Sequence, residues 1–403
     1  MTETIFFNLW QTDSREDQEA LVAEMRSEAT AFLGKPGFLG LTVWTGQNNH
    51  RVIVEGRWRS HPHFEAAVSE RPEAMASRAR LEKFGKAEPG LFSESFRIEP
   101  GLSETASEGL FESVSARWAE LGLKPRMIGV NGVDLHVVSG GTGSPLVLLH
   151  GYPQSGEIWR FVAPELTKTH HVIIPDLRGM GLSDIASSGY DLPNVADDLH
   201  QLIAHLGLRQ VAVAGHDWGG AAGAVWALRH RGDVGKFAFI DSAVAGAGFE
   251  SIWAFNRPNP AMTFIPFLLS DPLAESLIVG REETFLHHLW NTFTHNKDRV
   301  PFAAWKPYVE AMKRPGLMRS SASYYRSVYA TVDRVRELID IGKLTIPVLS
   351  ISGDASFGEA QKPFVEAFAS NIVRHVVVPN CGHFIAEEQP ETLTGEFLKF
   401  FDD

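Results

Sequence analysis

Cysteine occurs once in the 403 residues, at Cys381. One thiol cannot close an internal disulfide, and it excludes a Cys-x-x-Cys redox pair and a cysteine-ligated zinc ribbon. Long apolar runs are also missing: nothing reaches the roughly eighteen residues that a membrane-spanning helix needs. The start Met1-Thr2-Glu3-Thr4 carries neither the basic nor the apolar region of a secretory leader, so a cytosolic location is expected. Positive charge is short, with 37 Lys and Arg against 49 Asp and Glu and a net charge of −12. Nucleic acid and anionic membrane both want a basic face, so neither is an expected partner. The 16 histidines include no HExxH or other metal spacing. His61/His63, His170/His171 and His287/His288 read as surface or packing residues, and the sequence calls for no metal and no cofactor.

What is present suits a globular protein of two or three domains, with 44% hydrophobic residues. Residues 1–100 alternate between the two periodicities. Strands are expected at Ile5–Gln11, Phe38–Thr45, Arg51–Arg59 and Leu91–Ile98. Helices are expected after Asp13-x-x-Glu16 and from about His63 to Phe84. The β-α-β-β-α-β order is the ferredoxin-like split unit. Residues 101–123 read as a linker, small and polar at Ser103–Gly109 and then helical at Leu110–Leu123. From Met127 onward strands alternate with helices, which implies a mostly parallel sheet covered on both faces and an α/β domain over 124–403.

That domain is organised around Gly215-His216-Asp217-Trp218-Gly219, between the apolar run Val211–Ala214 and a helix of small residues. Strand, sharp turn and helix in that order form a nucleophile elbow, with glycines flanking a strained tip. Asp217 at that tip changes the chemistry that a serine would support. A serine attacking a saturated carbon is trapped as an ether, whereas a carboxylate becomes an ester that water can hydrolyse. The nucleophile therefore points to substitution at sp³ carbon.

Three segments, His150-Gly151-Tyr152-Pro153, Asp176–Asp184 and the elbow, together resemble the epoxide hydrolase and dehalogenase branch of the α/β-hydrolase superfamily, over residues 124–403. The resemblance implies an oxyanion hole from the backbone N–H groups of Tyr152 and Trp218. It makes His383, in Asn380-Cys381-Gly382-His383-Phe384, the base that activates water. Two carboxylates compete to orient it. Asp241 ends the strand after the nucleophile, as in fluoroacetate dehalogenases and a bacterial epoxide hydrolase subgroup. Asp354 stands where mammalian-type epoxide hydrolases carry their acid. The local Ser356-Phe357-Gly358 variant favours Asp241.

Residues 243–333 break the strand–helix alternation and are rich in bulky apolar groups, among them Trp253, Phe255, Met262, Phe267, Trp290 and Trp305. In this superfamily the insertion is a helical lid, here over a hydrophobic substrate. Ser323-Tyr324-Tyr325-Arg326 resembles the segment with the ring-opening tyrosine, which implies Tyr325 over Asp217. Phe264 falls where the bacterial subgroup has a second, histidine donor, so the pattern is broken there. Phe264 and Trp218 are expected at the substrate, and Tyr308 and His287 are candidates for the missing donor.

The first hundred residues resemble the antibiotic-biosynthesis monooxygenase (dimeric α+β barrel) family through Gly37-Phe38-Leu39-Gly40 and Val54–Ser60. That resemblance implies a homodimer. Asn8 and Trp58 match residues of its oxygenase branches, and Val68 in place of the haem ligand argues against haem. Epoxide hydrolysis is the first reading, dehalogenation the second, and cofactor-free oxygenation by the first domain the third. Together the two domains suggest work on a polycyclic aromatic natural product.

Overall fold

The computed structural model of the chain describes residues 4–12, 14–29, 32, 35, 38–46, 51–58, 92–98, 104–252 and 264–402. The helix expected over 63–84 lies outside these residues, as do Trp253, Phe255 and Met262. Two compact units divide the chain, residues 1–105 and 106–403.

The first unit contains β1 (Thr4–Gln11), α1 (Arg15–Ala29), β2 (Phe38–Gly46), β3 (Arg51–Trp58) and β4 (Phe92–Ile98). Ser14 caps α1: its Oγ accepts from the amide of Asp17 at 3.1 Å and donates to the Asp17 carboxylate at 2.6 Å, while Asp13 lies outside the described residues. The helix buries Leu21 and Met25 with Val43, Val52, Val54 and Trp58 of the sheet. All neighbouring strands are antiparallel, in the order β1-β3-β2-β4. Thus β3 splits the β1-α1-β2 pair, while β4 lies beside β2 and not beside β1.

The helix α2 (Glu104–Glu120) covers most of the helix expected at Leu110–Leu123 and begins six residues earlier, within the stretch expected to be small and polar. The hairpin β5 (Lys124–Val130) and β6 (Val133–Gly140) follows, turning at Asn131-Gly132 with positive φ at both residues. Next come β7 (Ser144–Leu149), β8 (His170–Pro175), α3 (Leu192–His205), β9 (Val211–His216), α4 (Trp218–Arg229) and β10 (Val234–Ile240). Between β10 and β11 (Val348–Gly353) the described chain is helical: α5 (Phe264–Leu269), α6 (Leu273–Ile278), α7 (Glu282–Phe293), α8 (Lys306–Met312), α9 (Leu317–Arg326) and α10 (Val328–Ile341). The chain ends with α11 (Lys362–Phe368), β12 (Ile372–Val378) and α12 (Pro390–Phe401).

These strands form a mixed eight-stranded sheet in the order β12-β11-β10-β9-β7-β8-β6-β5. Five pairings are parallel and the β8-β6-β5 edge is antiparallel. Alternation along each strand feeds two cores. Leu149 and Val213 face one cluster with α3 and α4, while Leu148 and Ala214 face the other with α2 and α12. The chain leaves β7 to one side for β8 and returns on the other as β9. Such a switch opens a crevice beyond the strands' carboxyl ends, where ligands bind in open α/β sheets.

Candidate active site

At that crevice β9 ends and α4 begins with a single residue between them. Asp217 has φ 51° and ψ −122°, a conformation that strains any side chain with a Cβ. Two neighbours have to be glycine for the turn to close. A Cβ on Gly215 would stand 2.3 Å from the carbonyl oxygen of Gly219, and one on Gly219 would stand 2.4 Å from that of His150. The tip thus projects the Asp217 carboxylate into the crevice, and Ser242 Oγ anchors its backbone by donating to its carbonyl at 2.6 Å.

The amide of Tyr152 donates to Asp217 Oδ1 at 2.7 Å, and the amide of Trp218 also bonds this carboxylate. Both expected oxyanion donors therefore meet at the same group. His383 stands on its other side, with Nε2 3.6 Å from Asp217 Oδ2 and Nδ1 2.5 Å from Asp241 Oδ2. Asp241 is fully buried, has φ 42°, and also accepts from Ser356 Oγ at 2.6 Å and Gly353 N at 3.0 Å. Asp354 takes a different position. It is exposed and accepts the amides of Asn380 and Cys381 at 2.9 and 3.0 Å.

The charges here are coupled. Burial opposes ionisation of Asp217, but the hydrogen bond and charge of His383, with help from the Trp218 amide, outweigh it and hold the carboxyl below its ordinary range. Burial likewise opposes a charged His383, but Asp217 and Asp241 raise its pKa to about 10. The imidazole is thus protonated at neutral pH while Asp217 is ionised. A neutral base, which the chemistry demands, requires that charge to disappear first. Beside it, burial and then the charge on His383 lower His216 to about 4. A neutral His216 donates Nε2–H to the His383 carbonyl at 2.9 Å.

A cavity of about 60 Å³ adjoins Asp217, and its walls include Tyr152, Trp218, Ile265, Phe293, Tyr325 and His383. Tyr325, on α9, lies edge-on to Trp218 and to Tyr152, at 5.0 and 5.4 Å between centroids, and hydrogen-bonds the Trp218 side chain. Burial first, and Asp217 second, push its hydroxyl well above the ordinary tyrosine range, so it remains a proton donor. Tyr324 turns away and donates to the carbonyl of Arg178 at 3.0 Å.

Two candidates for the missing second donor are corrected by their positions. The hydroxyl of Tyr308 is 3.0 Å from Glu387 Oε1 and 3.0 Å from Arg160 Nη1, and the residue does not line the cavity. A buried carboxylate and a guanidinium outcompete any substrate for it. His287 is exposed on α7 against Trp290 and Phe302, outside the cavity walls. Phe264 opens α5, whose next residue Ile265 reaches the cavity; the Phe264 side chain lies outside the described atoms. In the first unit Trp58 is 1% exposed, with ring centroids 5.7 and 5.1 Å from Phe32 and Phe38. That packing accounts for it as a core residue. Asn8 pairs with Val54 in the β1–β3 register.

Ser242, Ser356 and His216 are absent from the site residues that the sequence singles out, although they bond Asp217, Asp241 and His383 respectively. Only Ser356 left a trace, in the Ser-Phe-Gly variant after β11.

The family model described as alpha/beta hydrolase fold matches residues 144–390, more than half of the chain. The chain belongs to the α/β-hydrolase family. Among its relatives, this hydrolase is 35% identical to a soluble epoxide hydrolase of Corynebacterium sp. (strain C12), over 68% of this chain and 95% of that protein. It is 29% identical to a fluoroacetate dehalogenase of Burkholderia sp., over 70% and 95%. Among solved structures, wild-type Cfl2 from Burkholderia cenocepacia matches this hydrolase with a TM-score of 0.66 and 31% identity, over 69% of this chain and 96% of that one. The unliganded epoxide hydrolase CorEH matches with 0.64 and 32%, over 70% and 99%.

Proposed function

We propose that the hydrolase is an epoxide hydrolase that works through an ester on Asp217. The observation that carries this reading is one carboxylate held between two backbone amides and an imidazole, with a protonated phenol in the same cavity. An Asp217 oxygen attacks a ring carbon as that carbon's bond to the epoxide oxygen breaks. Tyr325 donates a proton to the departing alkoxide. Esterification removes the charge of Asp217, and with it one of the two supports for the charge on His383. The imidazole then gives up its proton, which returns across the cavity to the Tyr325 phenolate, and as a neutral base it takes one from water, whose oxygen bonds to the ester carbonyl carbon. The amides of Tyr152 and Trp218 hold the resulting oxyanion. Its collapse breaks the bond between carbonyl carbon and alkyl oxygen, the alkoxide leaves as the second hydroxyl of a diol with the proton from His383, and the proton left on the Asp217 carboxyl passes to His383 to restore the starting pair.

The apolar walls support a hydrophobic substrate. The cavity among the described residues is well below the roughly 300 Å³ of pockets for drug-sized ligands. A polycyclic epoxide therefore enters only if the helices between β10 and β11 act as a lid and open. Dehalogenation is the second reading, favoured by the dehalogenase relative and by Trp218 beside the nucleophile. Its indole N–H, however, already serves Tyr325. Diol formation from a styrene-type epoxide, without halide release from haloalkanes, is the expected result; halide without diol reverses the order.

For the first unit, the monooxygenase-like resemblance and the antiparallel sheet support a homodimerising domain with no part in the ester chemistry. Light scattering on the full chain should give twice the monomer mass; a monomer contradicts the reading.

A further inference from the structure

We infer that Glu388 is a positioning residue for the base, so that ester hydrolysis depends on it while ester formation does not. This rests on the aspartyl-ester reading above. Glu388 is fully buried, and its carboxylate accepts four backbone N–H groups. Oε2 takes Gly382 at 3.0 Å, His295 at 2.9 Å and Asn296 at 2.8 Å, and Oε1 takes Phe384 at 3.3 Å. The amide between Gly382 and Phe384, that of His383, donates to the carbonyl of Phe293 at 3.0 Å.

Three consecutive amides around the base are thus tied to the chain that leaves α7, two of them through one carboxylate. The approach is tight. A Cβ on Gly382 would stand 2.3 Å from the Phe293 oxygen and 2.7 Å from the His295 nitrogen. With its backbone held this way, His383 reaches Asp241 and Asp217 together. A carboxylate is acceptor-only, whereas an amide presents an N–H to at least one of these donors, and the loop has to shift to relieve it. A displacement of about 1 Å at a reacting group costs about a hundredfold in rate.

The two half-reactions separate positioning from mere stability. Attack by Asp217 with protonation by Tyr325 takes no proton through this loop, where His383 only helps to keep Asp217 ionised, but hydrolysis needs His383 to accept a proton at a fixed place. A loss of folded enzyme lowers both rates alike.

The test is rapid-quench mass spectrometry of the full chain with styrene oxide, using His383→Gln as the reference in which ester is trapped. In Glu388→Gln, ester should form at a rate within about threefold of the wild type and disappear about a hundredfold more slowly. The adduct then accumulates, and kcat and KM fall together. Proportional slowing of both halves, or of neither, overturns the role of Glu388. Should the glutamine variant not fold, Glu388→Asp, which keeps the charge on a shorter arm, is read by the same ratio with the same two outcomes. Absence of adduct in wild type and His383→Gln alike, with diol still produced, instead refutes the ester itself.

Discussion

The carboxyl ends of β10 and β11 are neighbours in one parallel sheet, and each is followed by an aspartate. Their side chains do different work. Asp241 is fully buried, sits in a strained backbone conformation, and gives its carboxylate to the imidazole of His383. Asp354 is exposed and gives its carboxylate to the backbone of Asn380 and Cys381, one turn of chain before the same histidine. A buried carboxylate against an imidazole sets charge and direction, whereas an exposed one on two amides holds a loop. Two residues that are equivalent by sequence logic thus divide the tuning of the base from the support of its loop.

Substitutions at and around these two positions test that division. Asp241→Asn should lower steady-state turnover by about 10⁴-fold and let the ester accumulate, because an amide both removes the charge and favours the wrong tautomer; stopped-flow and intact-mass measurements read this. Outside the pair, Tyr325→Phe should cost about a hundredfold, confined to ester formation, since the lost proton donor acts before hydrolysis begins. Ser356→Ala removes one donor from Asp241 Oδ2, and about a tenfold fall in ester hydrolysis is expected, seen as a slower second phase in single turnover. Asp354→Asn should stay within about threefold of wild type, because exposed contacts contribute little. If it equals Asp241→Asn instead, the two roles are reversed.

The smallest effect is on stability. The pKa of His383 is raised from 6.5 to about 10 in the fold, so its contribution is complete below pH 6.5 and is lost as the pH rises through about 10. Asp241→Asn supports less of that shift. Over this window its melting temperature should therefore fall about 2–4 °C less than that of the wild type, while Asp354→Asn should follow the wild type.

The elbow was legible because its constraint is local. Glycines at 215 and 219 are required by contacts within the turn and with the adjoining strand end, which leaves Asp217 at the tip between them. The loop of His383 and the strand–helix alternation were legible for the same reason, through short motifs and local periodicity. The choice between Asp241 and Asp354 was legible only in part: the Ser356-Phe357-Gly358 variant favoured Asp241, but both follow strands of equal character and the path of the 380–384 loop is what separates them. Tyr308 and His287 show the larger difficulty. Which face a helix presents to a cavity depends on its rotation against neighbours far away in sequence, and Glu387 with Arg160 fixes that for Tyr308. Glu388 stood out only as one residue of Glu387-Glu388-Gln389-Pro390, the stretch that follows the His383 loop, because a carboxylate that serves four backbone amides carries no periodic signal.

The central claim is that Asp217, rather than solvent, makes the first bond to the substrate. A single turnover in ¹⁸O-water with enzyme in excess, followed by mass analysis of the peptide containing Asp217, tests it most directly. The account predicts one labelled carboxylate oxygen in that peptide and an unlabelled diol. Label in the diol with none in the peptide contradicts it.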